Sequence, residues 1–373
     1  MLILGQIMEA LNSLAPWELA ESWDQVGLQI GRPDQVARRI LVALDMNERV
    51  LEEGLNRKVD GFILHHPFFF KPLTRIDTGS VQGGNLVRLL KEDLFLVAAH
   101  TNMDKAAAGL NQYLADSFGL QQVRPLDPVP AVFSKIVVFV PESDAPRLRR
   151  VMAAAGAGRI GAYAECAFQA PGTGSFIPGA AAHPSIGQHG AITEVRETRL
   201  EMQVANRDID RVFQAIHQNH PYEEPVIDVY PLENQSVGGG DAPGLGRIGS
   251  LAAALTLNQF CQQVKKVLGI NTIRMMGSLE KKVSRIALCG GSGGSLLRHA
   301  LRQGADVYLT GELDYHDYLS AAAEGIAVIE AGHWGSEHLF VPLVTRFLEA
   351  TFPKNLLEVI NSRSVTAEPF ITL

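Results

Sequence analysis

The sequence predicts an α/β domain split in two by an inserted α+β domain. Three observations predict it. Short apolar runs alternate with helical patterns at both ends of the chain, as in βαβ units around a largely parallel sheet. That style stops near Pro125-Leu126-Asp127-Pro128-Val129-Pro130 and resumes after Gly246-Arg247-Ile248-Gly249. The chain also has 373 residues, more than the roughly 250–300 that one core commonly serves. The parts are expected at 1–128, 129–240 and 241–373.

In the first part, Leu4, Ile7, Met8 and Leu11 recur at helical spacing. The run 39–45 reads as a buried strand, and Asn47 can cap the helix that follows, with Val50, Leu51 and Leu55 inward. A second strand, 61–64, ends at His65-His66-Pro67. A helix through 85–90 leads to a strand at 94–99 that ends in His100-Thr101-Asn102-Met103-Asp104, and 110–118 forms another helix. In such sheets function collects at the carboxyl ends of strands, where both histidine-bearing tails lie.

The middle part repeats itself in outline. A strand at 135–140 precedes a helix that Asp144 can cap and that runs to 155, with strand-like pieces at 164–168. A strand at 198–205, a helix at 207–217 and a strand at 226–230 follow. Two βα units with extra strands suggest a ferredoxin-like α+β domain. The Gly/Pro-rich stretch 171–189 reads as a mobile loop or hairpin tip, and 237–241 as the exit linker. In the last part Thr256 starts a helix through Phe260, Val264 and Val267. Strands are expected at 283–288, 307–309 and 326–329, ending respectively in a Gly-rich turn, in Thr310-Gly311-Glu312 and in Glu330-Ala331-Gly332-His333; a helix covers 336–348.

Composition narrows the function. The formal net charge of −7 argues against general nucleic-acid binding, which needs a basic face. The N-terminus lacks the basic segment of a signal peptide, and no run reaches the roughly 18 apolar residues of a membrane span. Cys166, Cys261 and Cys289 are far apart with no CxxC, so neither a disulfide framework nor a thiolate zinc site is expected. This fits a reducing cytoplasm and leaves His, Asp and Glu as metal ligands.

Those residues gather at strand ends. Adjacent strand residues face opposite ways, so His65 and His66 can share one centre only where the strand has ended, as Pro67 enforces. The plain alternative is one core histidine and one exposed. His333 and Glu337, four apart, share a helix face and offer an imidazole and a carboxylate suited to zinc, iron or manganese; alternatively they form an exposed first turn with Glu337 on the helix dipole. Asp104 can bridge two cations or cap the next helix. Gly290, Gly291, Ser292 and Gly293 lie in a turn that can cradle a phosphate, or that is simply a tight connection. Glu312, His316 and His100 are candidates for proton transfer.

Together these segments resemble the Nif-three family (Ngg-one interacting factor three), whose members are known as type 2 homologs of GTP cyclohydrolase I. The resemblance rests on Trp23-Asp24-Gln25-Val26-Gly27-Leu28, Leu64-His65-His66-Pro67, His100-Thr101-Asn102-Met103-Asp104, Gly290-Gly291-Ser292-Gly293, Thr310-Gly311-Glu312 and Gly332-His333-Trp334-Gly335-Ser336-Glu337. It implies a dinuclear metal site on His65, His66, Asp104, His333 and Glu337, holding two divalent ions (zinc, iron or manganese) per subunit. It also implies a homohexamer built as a trimer of dimers. The insert resembles PII-like and CutA-like domains, notably in His220-Pro221-Tyr222-Glu223-Glu224-Pro225. The expected function is metal-dependent hydrolysis, with activated water opening a nucleotide ring and the Gly-rich turn on the triphosphate. A metallohydrolase of another phosphorylated or cyclic compound, and a non-catalytic metal-binding assembly or regulatory protein with a ligand-sensing insert, are the alternatives. A nucleotide or other small molecule is the expected ligand, with no membrane partner.

Overall fold

The computed structural model describes residues 1–129, 131–161, 163–236 and 242–364. The chain divides into two compact units, Met1–Val129 with Gly238–Leu373, and Pro130–Val237. The expected exit linker at 237–241 lies outside the described residues.

The strands of the first segment are β1 (Gly27–Ile30), β2 (Arg39–Ala43), β3 (Gly61–Leu64), β4 (Phe95–Ala98) and β5 (Gln121–Pro128). Those of the middle are β6 (Ala131–Pro141), β7 (Phe168–Phe176), β8 (Thr193–Ala205) and β9 (Ile227–Ser236). The last segment adds β10 (Gly244–Thr256), β11 (Arg274–Met276), β12 (Lys282–Ser292), β13 (Val307–Glu312), β14 (Ala327–Glu330) and β15 (Glu358–Asn361).

The larger unit is a mixed α/β fold with two sheets rather than the single sheet expected. One has the order β1-β4-β3-β2-β15 and the other β11-β14-β13-β12-β10-β5. In the first, β4, β3, β2 and β15 run parallel and β1 is antiparallel at the edge. In the second, β12, β13 and β14 are parallel, β10 and β11 flank them antiparallel, and β5 pairs antiparallel with β10 at the edge. Both faces of each sheet are covered. Ile40 and Val42 pack toward the helices Leu4–Leu14 and Phe340–Thr351, while Leu41 and Ala43 pack toward Glu48–Asn56 and Val81–Lys91. Such double burial explains why β2, β3 and β4 read as continuous apolar runs. Each fully buried Leu or Ile contributes roughly 1.5–3 kcal/mol.

Several expectations need correction. The Pro-rich junction at 125–130 begins with β5, which pairs with β10 along the sheet edge. An edge strand tolerates Pro125 and Pro128 because its outer side needs no ladder donors. Residues 171–176 of the expected loop are strand instead, since β7 extends through Phe176 against β8. Asp144 stands at the N-cap position of the helix Ala145–Ala154, but its side chain makes no capping bond. The single helix expected at 336–348 is two, His333–Glu337 and Phe340–Thr351. Asn47 does cap Glu48–Asn56, accepting from Val50 N at 3.0 Å.

The smaller unit has the order βαββαβ, with helices Ala145–Ala154 and Ile209–Asn219 and an antiparallel sheet β7-β8-β6-β9. This is the ferredoxin-like arrangement. Its core lies on one sheet face: Ile136, Val138, Val140, Leu200, Met202 and Val204 meet Leu148, Met152, Val212 and Ile216. Among the described residues, no helix is long and apolar enough to cross a membrane.

Candidate metal centre

The carboxyl ends of strands from both sheets of the larger unit meet at one cluster. β3 stops at Leu64, so strand alternation no longer separates His65 from His66, and their ring centroids are 5.0 Å apart. β4 delivers His100 and, within the short helix Thr101–Lys105 that follows, Asp104. From the second sheet, β14 leads through Gly332 into the helix His333–Glu337; Gly332 has a φ of +86°, a turn that favours glycine. Asn111 and Arg247 hold these pieces in place. Asn111 donates to the Asp104 carbonyl at 3.1 Å and accepts from Gly290 N at 2.9 Å. The guanidinium of Arg247, wholly buried, donates to the Gly244 and Ala106 carbonyls at 2.6 and 2.7 Å.

All four histidines are held by Nδ1. His65 donates to the Ala99 carbonyl at 2.9 Å, and His66 to Asp45 at 2.8 Å. His100 donates to Asp24 at 3.0 Å, and His333 Nδ1 lies 3.1 Å from Glu312. A partner on Nδ1 fixes the tautomer and leaves Nε2 as the ligand atom, the arrangement of metal-binding imidazoles. His66 Nε2 and His333 Nε2 each lie 3.0 Å from Glu337 Oε2. His65 Nε2 lies 3.8 Å from both Asp104 Oδ1 and Glu337 Oε1. One nitrogen each of His65, His66 and His100 falls within 4.8 Å of the others, and so do ligand atoms of His66, His333 and Glu337.

The cluster fits a cation. His65 Nε2, Asp104 Oδ1 and Glu337 Oε2 are buried without a hydrogen-bond partner; Glu337 Oε2 is near two ring nitrogens but along neither N–H direction. An orphaned buried polar atom costs about 1–3 kcal/mol, and three at one focus are what a metal ion would satisfy. Burial and the charge of Glu337 push Asp104 up to about 7. Burial opposes ionisation of Glu337 too, yet His65, His333 and His66 hold it well below the usual carboxylate range. Burial lowers His66, but the carboxylates of Asp45 and Glu337 outweigh it and raise it to about 10. The Glu337 bond lifts His333 to about 9. Burial keeps the neighbouring Cys289 thiol protonated, so the donor set is N and O, suited to zinc, iron or manganese.

The structure thus brings together His65, His66, Asp104, His333 and Glu337, and adds His100, which was read only as a proton carrier. Glu312 also belongs, but behind His333: burial opposes its ionisation, and His333 and Ser292 more than reverse that. His316 is not brought in; it is exposed at the start of the helix Tyr315–Glu324, its ring edge-on to Tyr315. Three backbone donors of the Gly-rich turn, expected to cradle a phosphate, have partners within the protein. Gly290 N donates to Asn111, Gly291 N to Ser336 Oγ at 3.0 Å, and Gly293 N to the Glu312 carbonyl at 3.4 Å. Gly291, at a φ of +62°, instead lets Glu337 pass: a Cβ there would collide with Oε1. Asp24 and Asp45 escaped the sequence reading as ring partners, although Asp45 ends the expected strand 39–45 and the strand-end rule covers it.

Fold and cluster together define a mixed α/β protein with a His/carboxylate group able to hold a metal ion. A family model, Duf34/NIF3 (NGG1p interacting factor 3), matches residues 2–368. The chain belongs to that family. It is 38% identical over 328 residues to a "GTP cyclohydrolase 1 type 2 homolog" of Halalkalibacterium halodurans, covering 88% of this chain and 87% of that one. A Bacillus subtilis protein with the same description is 37% identical, with 92% and 91% covered. The crystal structure of a Bacillus cereus protein related to NIF3 superposes with a TM-score of 0.87 at 34% identity, covering 100% of this chain and 99% of the other.

Proposed function

We propose that the chain is a metal-dependent hydrolase of the GTP cyclohydrolase I type 2 kind, holding two divalent ions on His65, His66, Asp104, His333 and Glu337. The observation that carries this is the set of inward Nε2 atoms, each ring fixed from behind, facing two buried carboxylates with three atoms unsatisfied. The candidate ligand atoms fall in two groups, His65–His66–His100 and His66–His333–Glu337; since one ring nitrogen holds one ion, a pair of ions would need Glu337 or Asp104 as the bridge.

A divalent pair supplies Lewis acidity and lowers the pKa of water toward about 7. The chain's own residues do the rest. Glu337 and Asp104 bring the charge that retains cations. Asp45, Asp24 and Glu312 orient rings and prevent their rotation. His100, with Asp24 on Nδ1, presents Nε2 to the cluster, where it can take or give a proton; among His100, Glu312 and His316 it is the group best placed for this. The reaction we favour is hydrolytic opening of a nitrogen-containing ring of the nucleotide type. The proposal extends to a homohexamer built as a trimer of dimers and to a PII/CutA-like insert, which the βαββαβ order supports. It also extends to a cytoplasmic location, which the free thiols of Cys166, Cys261 and Cys289 support.

Metal analysis of the wild-type chain beside His66→Ala tests the ligand set: the variant should lose bound metal, and equal content would overturn it. Incubation of the loaded protein with a panel of nucleotides and their parent nucleosides, monitored for formate and ring-opened products by mass spectrometry, tests turnover. No product under zinc, iron or manganese would reject the hydrolase reading.

A further inference from the structure

The two flanks of the cluster describe what it acts on. On the His100 side, Trp23 and Phe70 are 57% and 51% exposed. Their rings meet His100 edge-on, with centroids 6.1 and 5.8 Å away. Large aromatics left in water beside a polar centre offer faces on which a planar ring stacks.

On the His333 side lies a hollow of about 430 Å³ that includes Ser292, Glu312, Asp314, Asp317 and Glu330, with Arg274 as its one cation. Arg274 is already countered by Glu330 at 2.9 Å. With Glu330 paired to Arg274, Asp314 and Asp317 add to the five carboxylates at the cluster, Asp24, Asp45, Asp104, Glu312 and Glu337. Two divalent ions would offset four of those seven charges and leave the region anionic. The backbone donors of Gly290, Gly291 and Gly293 are engaged within the protein and are not free to meet a phosphate. A triphosphate would add several negative charges to a region that remains anionic when loaded, and like-charge juxtaposition opposes binding. Hydroxyl groups, by contrast, donate well to carboxylates, as the ribose of a dinucleotide does to Asp or Glu.

The spacing suits one ligand. The ring centroids of His100 and His66 are 5.4 Å apart, and those of His66 and His333 are 5.3 Å apart, so only two ring spacings lie between the histidines that border the two flanks. We propose that the centre takes a nucleoside-type compound: a planar nitrogen heterocycle with a hydroxyl-rich substituent and no polyphosphate. The ring lies against Trp23 and Phe70, and the hydroxyls lie on the carboxylates of the hollow. This rests on the hydrolytic metal reading and narrows its substrate.

Calorimetric titration of the full, metal-loaded chain with guanosine and with GTP tests it, with metal content measured before and after. Guanosine should bind saturably and at least about tenfold tighter than GTP. Trp23→Ala should weaken guanosine about tenfold with metal content unchanged. The double variant Asp314→Asn with Asp317→Asn keeps side chains that can cap the helix and should improve GTP more than guanosine. GTP binding as tightly as guanosine, saturable binding of neither, or indifference of guanosine to Trp23→Ala would each overturn the proposal. Failure of the metal reading has a separate signature, a wild-type chain that retains no metal after loading.

Discussion

His65 in the α/β unit and His220 in the insert are both buried, at 0% and 8% exposure, yet the fold treats them oppositely. His220 is closed: Nε2 donates to the Phe139 carbonyl and Nδ1 accepts from Tyr222 N, each at 3.0 Å. His65 is open: Nδ1 donates to Ala99, and Nε2 faces two carboxylate oxygens at 3.8 Å with no hydrogen bond. A satisfied ring adds to stability by itself. An unsatisfied one is a standing cost that a ligand can remove. Burial alone therefore does not mark a functional histidine; what marks it is the atom left over after the fold has taken its share.

The largest expected effect separates the two rings by variant. Glu337→Gln removes the carboxylate that three histidines face. Since loss of an outer partner alone weakens metal affinity about 10–100-fold, this variant should weaken it beyond about a hundredfold and carry only background metal in elemental analysis. His220→Ala should leave metal content unchanged. It deletes two hydrogen bonds and opens a cavity, so it should destabilise the insert by roughly 2–4 kcal/mol in denaturant unfolding. Loss of metal from the His220 variant, or full retention by Glu337→Gln, would erase the distinction.

A smaller effect probes the partners behind the rings. Asp45→Ala frees Nδ1 of His66 without touching a proposed ligand, and should raise the metal dissociation constant about 10–100-fold in a chelator competition. An unchanged constant would mean that packing alone orients His66.

That Asp45 had to be found in the structure shows where the sequence stops being readable. The strands β2, β3 and β4 were legible because burial on both faces leaves them without polar interruption. The ligands at their ends were legible because strand ends concentrate chemistry. β5 and β10 were hidden: Pro125 and Pro128 read as a break, and only the antiparallel partner across the insert makes them a pair. The ring partners were hidden for a similar reason. Asp24 and His100 are 76 residues apart, and Asp45 and His66 are 21 apart, so their pairing is created by sheet order, which no local pattern records. The glycines share their pattern with phosphate loops, but here Asn111, Ser336 and the Glu312 carbonyl take the donors of Gly290, Gly291 and Gly293.

The smallest effect is one of sign with pH. In the metal-free chain His66 is raised to about 10 and His333 to about 9, against about 6.5 for an unfolded histidine. Their charged pairing with Glu337 thus contributes its full stability below about pH 6.5 and loses it as pH rises through 9 to 10. Burial lowers His220 instead, so its contribution is present above about pH 6.5 and lost on acidification. Calorimetric scans of chelator-treated protein should show the melting temperature falling by a few degrees between pH 7 and about 9.5. Metal-loaded protein should not share that fall, because metal binding requires the rings deprotonated; the gap between the two curves should widen with pH. A constant or narrowing gap would mean that Glu337 does not hold His66 and His333 as charged partners, and that the open cluster is as closed as His220.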